Sequence, residues 1–345
     1  MLDVPTSRNR TAPGKAPVGS QGADRRPPTM PDSAPRGRLR HRSMAFARLT
    51  EVRTDLQPPL ADIRFLVDRA LAEDLTPLGD LTSSLLDPSK MATAEFNARE
   101  PGVLAGCRCV EETFRAIDES LTVEWHLTDG DRVEAGDVIG VARGPYATLL
   151  TVERTALNFL SHLSGVATNA ARWVELADGR VTVWDTRKTL PGYRSLQKAA
   201  VRAGGAANHR GNLSDWLMLK DNHLVGGCDG GITIASAVAE ARRRWPGRTV
   251  HVEADTEGLM VEALEAGADI ILLDNFTPDE LKALVSKVDA WAAETGGRRP
   301  LLEASGGITL DTLDGYADTG VDLVSSGSIT NSARVLDIGL DVVAD

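Results

Sequence analysis

The sequence has only three cysteines in 345 residues, Cys107, Cys109 and Cys228. A Cys-x-Cys pair with a distant third makes neither a disulfide framework nor a zinc cluster, so they read as small residues of a reduced compartment. No apolar run approaches the ~20 residues that a membrane-spanning helix needs. The opening MLDVPTSRNRTAPGKAP has no apolar stretch of signal-peptide type. A soluble, cytoplasmic protein is expected. No G-x-G-x-x-G follows a strand pattern, which counts against a dinucleotide-binding sheet, and pyridoxal and flavin motifs are missing as well.

Positive charge is scarce, with a formal net charge of −11, and unevenly spread. Residues 1–44 hold nine Lys/Arg against three Asp/Glu, which leaves the rest of the chain at −17. An arm rich in Pro, Arg, Ser and Gly with few aliphatic residues buries too little to fold, so residues 1–55 are expected to be a disordered extension. No nucleic-acid or membrane partner is expected from it, and Met44 is an alternative start.

What is present is ordered patterning from Asp62 onward. IRFLVDRALAEDL places Ile63, Leu66, Val67, Ala70 and Leu71 on one helical stripe. Short alternating runs broken by DG and AG turns suggest a small β-rich or α+β layer to about residue 150. VERTALNFLSHLSGVATNAARWVELA then reads as one or two long helices.

Beyond residue 180 short apolar runs alternate with helical stretches. The runs are VTVWDTRK (181–188), WLMLKDN (216–222), TVHVEAD (249–255), ADIILLDN (268–275), PLLEASGG (300–307) and VDLVSSGS (321–328). Near-continuous apolar strands between helices imply a parallel sheet covered on both faces. Each run ends in charged, hydroxyl or glycine residues: Arg187 with Lys188, Lys220, Glu253, Asp274, Ser305 with Gly306, and Gly327. Chemistry at the C-terminal ends of many different strands favours an incomplete β/α barrel over an open sheet.

Residues 187–223 carry seven Lys/Arg against two Asp, a local +5 in an acidic body. Cations at barrel strand ends face the mouth, so an anion-binding mouth is expected, with His209 and His223 as further donors. Arg194, Lys198 and Arg202 stand at i, i+4, i+8 and are expected to form a solvated helix face. Glu253 and Asp274 offer hard oxygen ligands for a divalent cation and for ribose hydroxyls. The two glycine-rich loops at the last strands suit a phosphate. Together these sites call for a phosphorylated sugar with a polyanionic leaving group and a small carboxylic acid.

These segments are recognisable. DTRKTLPGYRSLQKAAVRAGGAANHRGNLSDWLMLKDNH, with HVEADTEG, ADIILLDNF, LLEASGGIT and GVDLVSSGSITNSARVLDIGLDVV, closely resembles the quinolinate phosphoribosyltransferase family. EDLTPLGDLTS, PGVLAG and VERTALNFLSHLSGVAT extend the resemblance to nearly everything after residue 60. It implies an N-terminal α/β sandwich over residues 56–165, with 331–345 packing back on it, and an incomplete, six- to seven-stranded TIM-like α/β barrel over 166–330.

The resemblance also implies Mg²⁺-dependent transfer of ribose 5-phosphate from phosphoribosyl pyrophosphate to quinolinate, with loss of CO2, giving nicotinate mononucleotide for NAD biosynthesis. Arg187, His209, Arg210 and Lys220 would clamp the two carboxylates, and Arg154 would enter from a neighbouring subunit of a homodimer or higher homo-oligomer. Lys188, Glu253 and Asp274 would surround the pyrophosphate, the metal and the ribose, with Mg²⁺ held partly through pyrophosphate and water. Ser305, Gly306 and Gly327 would hold the 5-phosphate.

The chain departs from the family pattern at Gln197, Ala199, Ala206, His251 and Asn331. Three alternatives stay open at this point: a diverged phosphoribosyltransferase acting on another pyridine or azole carboxylate, a barrel lyase with Lys220 as a Schiff-base nucleophile, and a non-catalytic anion-binding protein.

Overall fold

The computed structural model describes residues 56–225 and 232–343. The extension expected over 1–55, the alternative start at Met44 and the third cysteine, Cys228, lie outside the described residues.

The amphipathic stripe read from Ile63 onward forms α1 (Leu60–Leu75), with Ile63, Val67 and Leu71 buried. Four strands then make an antiparallel sheet, β1 (Met91–Ala98), β3 (Thr122–Trp125), β5 (Val138–Pro145) and, from the far end of the chain, β12 (Ile338–Val343). Their order is β12-β1-β5-β3, so the C-terminal strand pairs with β1. The short β2 (Gly102–Val103) and β4 (Arg132–Val133) pair separately. One face of the large sheet is covered by α2 (Cys107–Ile117), and Phe96, Phe114, Val110 and Ile139 close a core there. Cys107 and Cys109 sit on α2 as buried free thiols, pushed up in pKa chiefly by burial.

A single helix of 32 residues follows, α3 (Tyr146–Ala177). Its Leu149, Val152, Leu157 and Leu160 enter the core under the antiparallel sheet, whereas Phe159, Leu163, Val166 and Trp173 enter a second, larger core. That core surrounds six parallel strands: β6 (Thr182–Trp184), β7 (Leu217–Leu219), β8 (Val250–Ala254), β9 (Ile270–Asp274), β10 (Leu301–Ser305) and β11 (Leu323–Ser325). Helices α4 (Arg194–Ala203), α5 (Asp221–Val225), α6 (Ile234–Arg244), α7 (Glu257–Glu265), α8 (Pro278–Thr295), α9 (Leu310–Ala317) and α10 (Ser328–Asn331) connect or follow them. Thr233, Thr256 and Thr277 cap α6, α7 and α8 with their side chains, each satisfying a backbone N–H that a helix start leaves open.

The strands lie in the order β6-β11-β10-β9-β8-β7. They therefore run round in chain order from β7 to β11 and return to β6, leaving β6 and β7 as the two edges of a mixed α/β fold whose parallel sheet does not close among the described residues. The gap is occupied by the chain before β7. Ala207 bridges Trp184 in parallel, with its N–H on Val183 O at 2.9 Å and its carbonyl accepting from Asp185 N at 3.2 Å. The segment carrying His209 and Arg210 thus stands where another strand would be.

Candidate active site

Side chains alternate across a strand, so residues two apart share a face. At the C-terminal edge of the parallel sheet this rule puts Glu253, Asp274 and Ser305 on one face, Asp274 level with Ser305 and Glu253 one pleat below them. Glu303 shares that face level with Glu253 and Leu272, and His251 lies one pleat lower still. Arg187 and Lys188 follow β6, Lys220 follows β7, Gly306 follows β10 and Gly327 follows β11. Eight of the eleven proposed site residues therefore belong to one edge of one sheet, and His209 and Arg210 lie on the segment that bridges β6.

The cations are held rather than scattered. Arg210 is buried, and among the described residues its guanidinium reaches only Trp216 O at 3.5 Å and Met218 Sδ at 3.4 Å. Burial and the neighbouring Arg187 both lower its proton affinity. The Nε of Arg187 is buried without a hydrogen bond among the described residues. A pair of guanidiniums this poorly satisfied is prepared for an anion. Lys220 is ion-paired with Glu253 across β7 and β8.

His209 is kept neutral: burial first, then Lys198, Arg210, Lys220 and Arg187, bring it down to about 3. Its Nδ1 accepts the Arg210 N–H at 2.9 Å. A neutral ring that accepts at Nδ1 carries its proton on Nε2, so His209 is a fixed donor. Trp184 and Trp216 flank it at ring-centroid distances of 5.3 and 5.1 Å.

Beneath this loop lies a network that sequence reasoning missed. Asp185 is fully buried, and its Oδ1 accepts from Lys198 Nζ at 2.6 Å and from His209 N at 2.7 Å. Its Oδ2 accepts from Asn208 Nδ2 at 3.1 Å, while Lys198 Nζ also donates to His209 O at 2.9 Å. Burial raises the Asp185 carboxyl and lowers the Lys198 ammonium, as expected for a pair taken out of water.

The expectation of a solvated face for Arg194, Lys198 and Arg202 is corrected here. Lys198 is buried, Arg194 donates to Gly211 O and Arg187 O, and Arg202 donates to Asn208 Oδ1. Residues 196–201 of α4 are all buried because it is wedged between α3 and the clamp loop. The usable signal was Asp185 itself, an acid placed directly after the apolar VTVW.

Across the mouth, Asp274 Oδ2 accepts from Asn275 Nδ2 at 2.7 Å. Gly306 has φ +94, and a Cβ there would lie 2.3 Å from Asn275 Oδ1, so only glycine fits. A Cβ on Gly327 would lie 2.6 Å from Lys188 Cδ, which sets the lysine against the last glycine loop. The exposed Lys188 is pinned by its backbone, its N–H on Thr186 Oγ1 and its carbonyl on Thr330 Oγ1. Arg154 is the exception: it projects from α3, two-thirds exposed, with Glu153 at 3.8 Å as its ion pair. His223 Nδ1 accepts the N–H of Lys220 at 3.0 Å and so supports the turn after β7.

Known proteins give the same outline. The model of the quinolinate phosphoribosyl transferase C-terminal domain matches residues 166–341, and that of the N-terminal domain matches residues 80–164. The chain is 39% identical over 283 residues to the probable nicotinate-nucleotide pyrophosphorylase [carboxylating] of Bacillus subtilis, covering 81% of this chain and 93% of that one. With the human nicotinate-nucleotide pyrophosphorylase [carboxylating] it shares 37% over 294 residues, 84% and 94% of the two chains. The solved nicotinate-nucleotide pyrophosphorylase of Francisella tularensis is similar at 35% identity and a TM-score of 0.76, covering 83% of this chain and 98% of its own.

Proposed function

Because this chain belongs to the quinolinate phosphoribosyltransferase family, we propose that it transfers the phosphoribosyl group of phosphoribosyl pyrophosphate to quinolinate with decarboxylation. The products are nicotinate mononucleotide, pyrophosphate and CO2, and the enzyme is a pentosyltransferase of NAD biosynthesis. The observation that carries this reading is the cluster of Arg187, His209, Arg210 and Lys220 at one sheet edge, in which the two guanidiniums are poor in partners and His209 is kept neutral as a donor, which matches a small dianion.

The roles follow from charge. Arg187, Arg210, Lys220 and the Nε2–H of His209 hold the two carboxylates and aim the ring nitrogen, which lowers the entropic cost of meeting the sugar. Ser305, Gly306 and Gly327 receive the 5-phosphate, and Lys188 beside Gly327 faces the pyrophosphate. As the nitrogen lone pair bonds to the anomeric carbon, the carbon–oxygen bond breaks and its electrons leave with pyrophosphate. Positive charge develops on the ribose, which Glu253 and Asp274 stabilise. The pyridinium then accepts the electron pair of the breaking bond to the 2-carboxylate, and that carbon takes up a proton from solvent. No covalent protein nucleophile is used.

Two carboxylates on adjacent strand ends are a donor set of the right hardness for Mg²⁺, and Glu253 and Asp274 would hold it partly through water and the pyrophosphate itself. Bound there, the ion neutralises charge on the leaving pyrophosphate. The direct test supplies phosphoribosyl pyrophosphate, Mg²⁺ and quinolinate, and expects pyrophosphate and CO2 in equal amounts. Chelating the metal should lower turnover by at least about a hundredfold, with recovery on adding Mg²⁺. No product from quinolinate would overturn the reading, and full activity in chelator would overturn the metal.

Arg154 points to a shared site in a homodimer or higher homo-oligomer, because an exposed arginine on α3 serves the clamp only if it enters a neighbour's mouth. Arg154→Ala and Arg210→Ala chains, each nearly inactive alone, should recover about a quarter of wild-type activity when mixed as dimers. Half of such dimers are mixed, and each has one intact site. No recovery on mixing would sink the shared site.

A further inference from the structure

Below the clamp, three ionisable side chains meet without satisfying one another. Glu303 and His251 are fully buried and His209 nearly so. The Nε2 of His251 lies 3.4 Å from Glu303 Oε2, and the Nε2 of His209 lies 3.7 Å from the same oxygen. Neither ring nitrogen of His251 and neither oxygen of Glu303 has a hydrogen-bond partner among the described residues. Burial raises the Glu303 carboxyl to about 7, with the Ser325 side chain opposing it. Four buried polar atoms left open in one spot run against the general satisfaction of protein interiors.

The spacing itself is informative. Direct N–H···O bonds have heavy-atom distances of about 2.7–3.2 Å, and both separations are longer. Two ligands at ~2.1 Å from a tetrahedral ion stand about 3.4 Å apart, close to what is found. One nitrogen from each histidine and one Glu303 oxygen all fall within 4.8 Å of one another. Two imidazoles and one carboxylate suit Zn²⁺ and its neighbours, whereas Mg²⁺ demands octahedral oxygen.

We propose that His209, His251 and Glu303 form a site for a Zn²⁺-class dication, and that its occupancy inhibits the enzyme by withdrawing His209 from the quinolinate clamp. The inhibitory sense follows from the protons. Coordination through Nε2 of His209 displaces the proton held there and moves it to Nδ1, which then no longer accepts the Arg210 N–H. The clamp thereby loses a donor, and its neighbouring guanidinium loses an anchor. The cations Arg187, Lys198, Arg210 and Lys220 oppose a dication at this depth, so the site is that of a modulator rather than of a resident ion.

The inhibitory half rests on the assignment of His209 to quinolinate; the binding half does not, and the experiment separates them. Co²⁺ titrated into the intact protein, without substrates, should give one equivalent of the intense visible absorption of a four-coordinate ion. His251→Gln and Glu303→Gln should abolish it. With Mg²⁺ in excess and phosphoribosyl pyrophosphate saturating, buffered free Zn²⁺ should raise KM for quinolinate and leave kcat unchanged. Each variant should remain active and need at least about tenfold more Zn²⁺ for half-inhibition. No Co²⁺ band with wild-type protein overturns the site. Unchanged Zn²⁺ sensitivity in both variants, or relief by added Mg²⁺, overturns the inhibition, since the ion would then act at Glu253 and Asp274. Absence of any quinolinate turnover before Zn²⁺ is added counts against the proposed function and leaves the Co²⁺ result standing.

Discussion

Arg210→Ala is expected to lower kcat/KM for quinolinate by roughly 30- to 4,000-fold, which is the 2–5 kcal/mol that truncating one member of a desolvated charge pair costs. The range is set by how little Arg210 does in the free protein. Its guanidinium is buried, touches one carbonyl and one sulfur at long range, and is pressed by Arg187. Nearly all of its hydrogen-bonding capacity is therefore left for the substrate, and the loss should fall on KM for quinolinate. KM for phosphoribosyl pyrophosphate should move by less than about threefold, because that substrate belongs to the opposite strand ends. Arg210→Lys should recover little, since a point charge does not reproduce a planar fork. Steady-state kinetics varying each substrate in turn would decide it, and an unchanged KM for quinolinate would remove Arg210 from the clamp.

The second large effect is on stability. Asp185→Ala leaves the Lys198 ammonium buried without its counter-charge and frees the Asn208 amide and the His209 N–H. Breaking a buried pair in this way costs about 3–5 kcal/mol, a large fraction of the 5–15 kcal/mol by which domains are normally stable. Urea unfolding should show the loss as a lower midpoint at unchanged slope. Replacing both partners, as in Asp185→Leu with Lys198→Met, should return much of the stability, because two apolar groups leave no orphaned charge. It should not return quinolinate binding, since the His209–Arg210 loop has then lost its anchors. A double variant as active as wild type would show that the pair only fills space.

The mouth was readable because parallel strands buried on both faces leave few places for charge. Lys220, Asp274 and the glycine loops stand out against apolar runs, and the structure gathers them on one edge. The tier below was hidden by the same logic. His251 lies between Val250 and Val252 and Glu303 between Leu302 and Ala304, and period-two alternation says which face they share without saying whether a partner meets them there.

Lys198 was misread because its i, i+4 neighbours are arginines, a pattern identical to a wet helix face. It is interior because α4 is wedged between α3 and the His209 loop, where its Nζ meets Asp185 and the His209 carbonyl. At Gln197 the amide oxygen accepts the Leu190 N–H at 2.9 Å while its nitrogen meets His162 Nε2 at 3.0 Å, which ties α4 to α3 and to the loop before it. Arg154 is legible as exposed and no further, because the role proposed for it belongs to a second copy of the chain.

The long helix α3 has a wider consequence. The two family models meet at residue 165, in the middle of its turns. Phe159 and Leu160 are adjacent in sequence and serve different cores. Severing the chain there would strip an apolar flank from both halves at once. The join visible in sequence comparison is therefore not a seam along which the protein comes apart: the two layers share one beam, and neither outlasts the other.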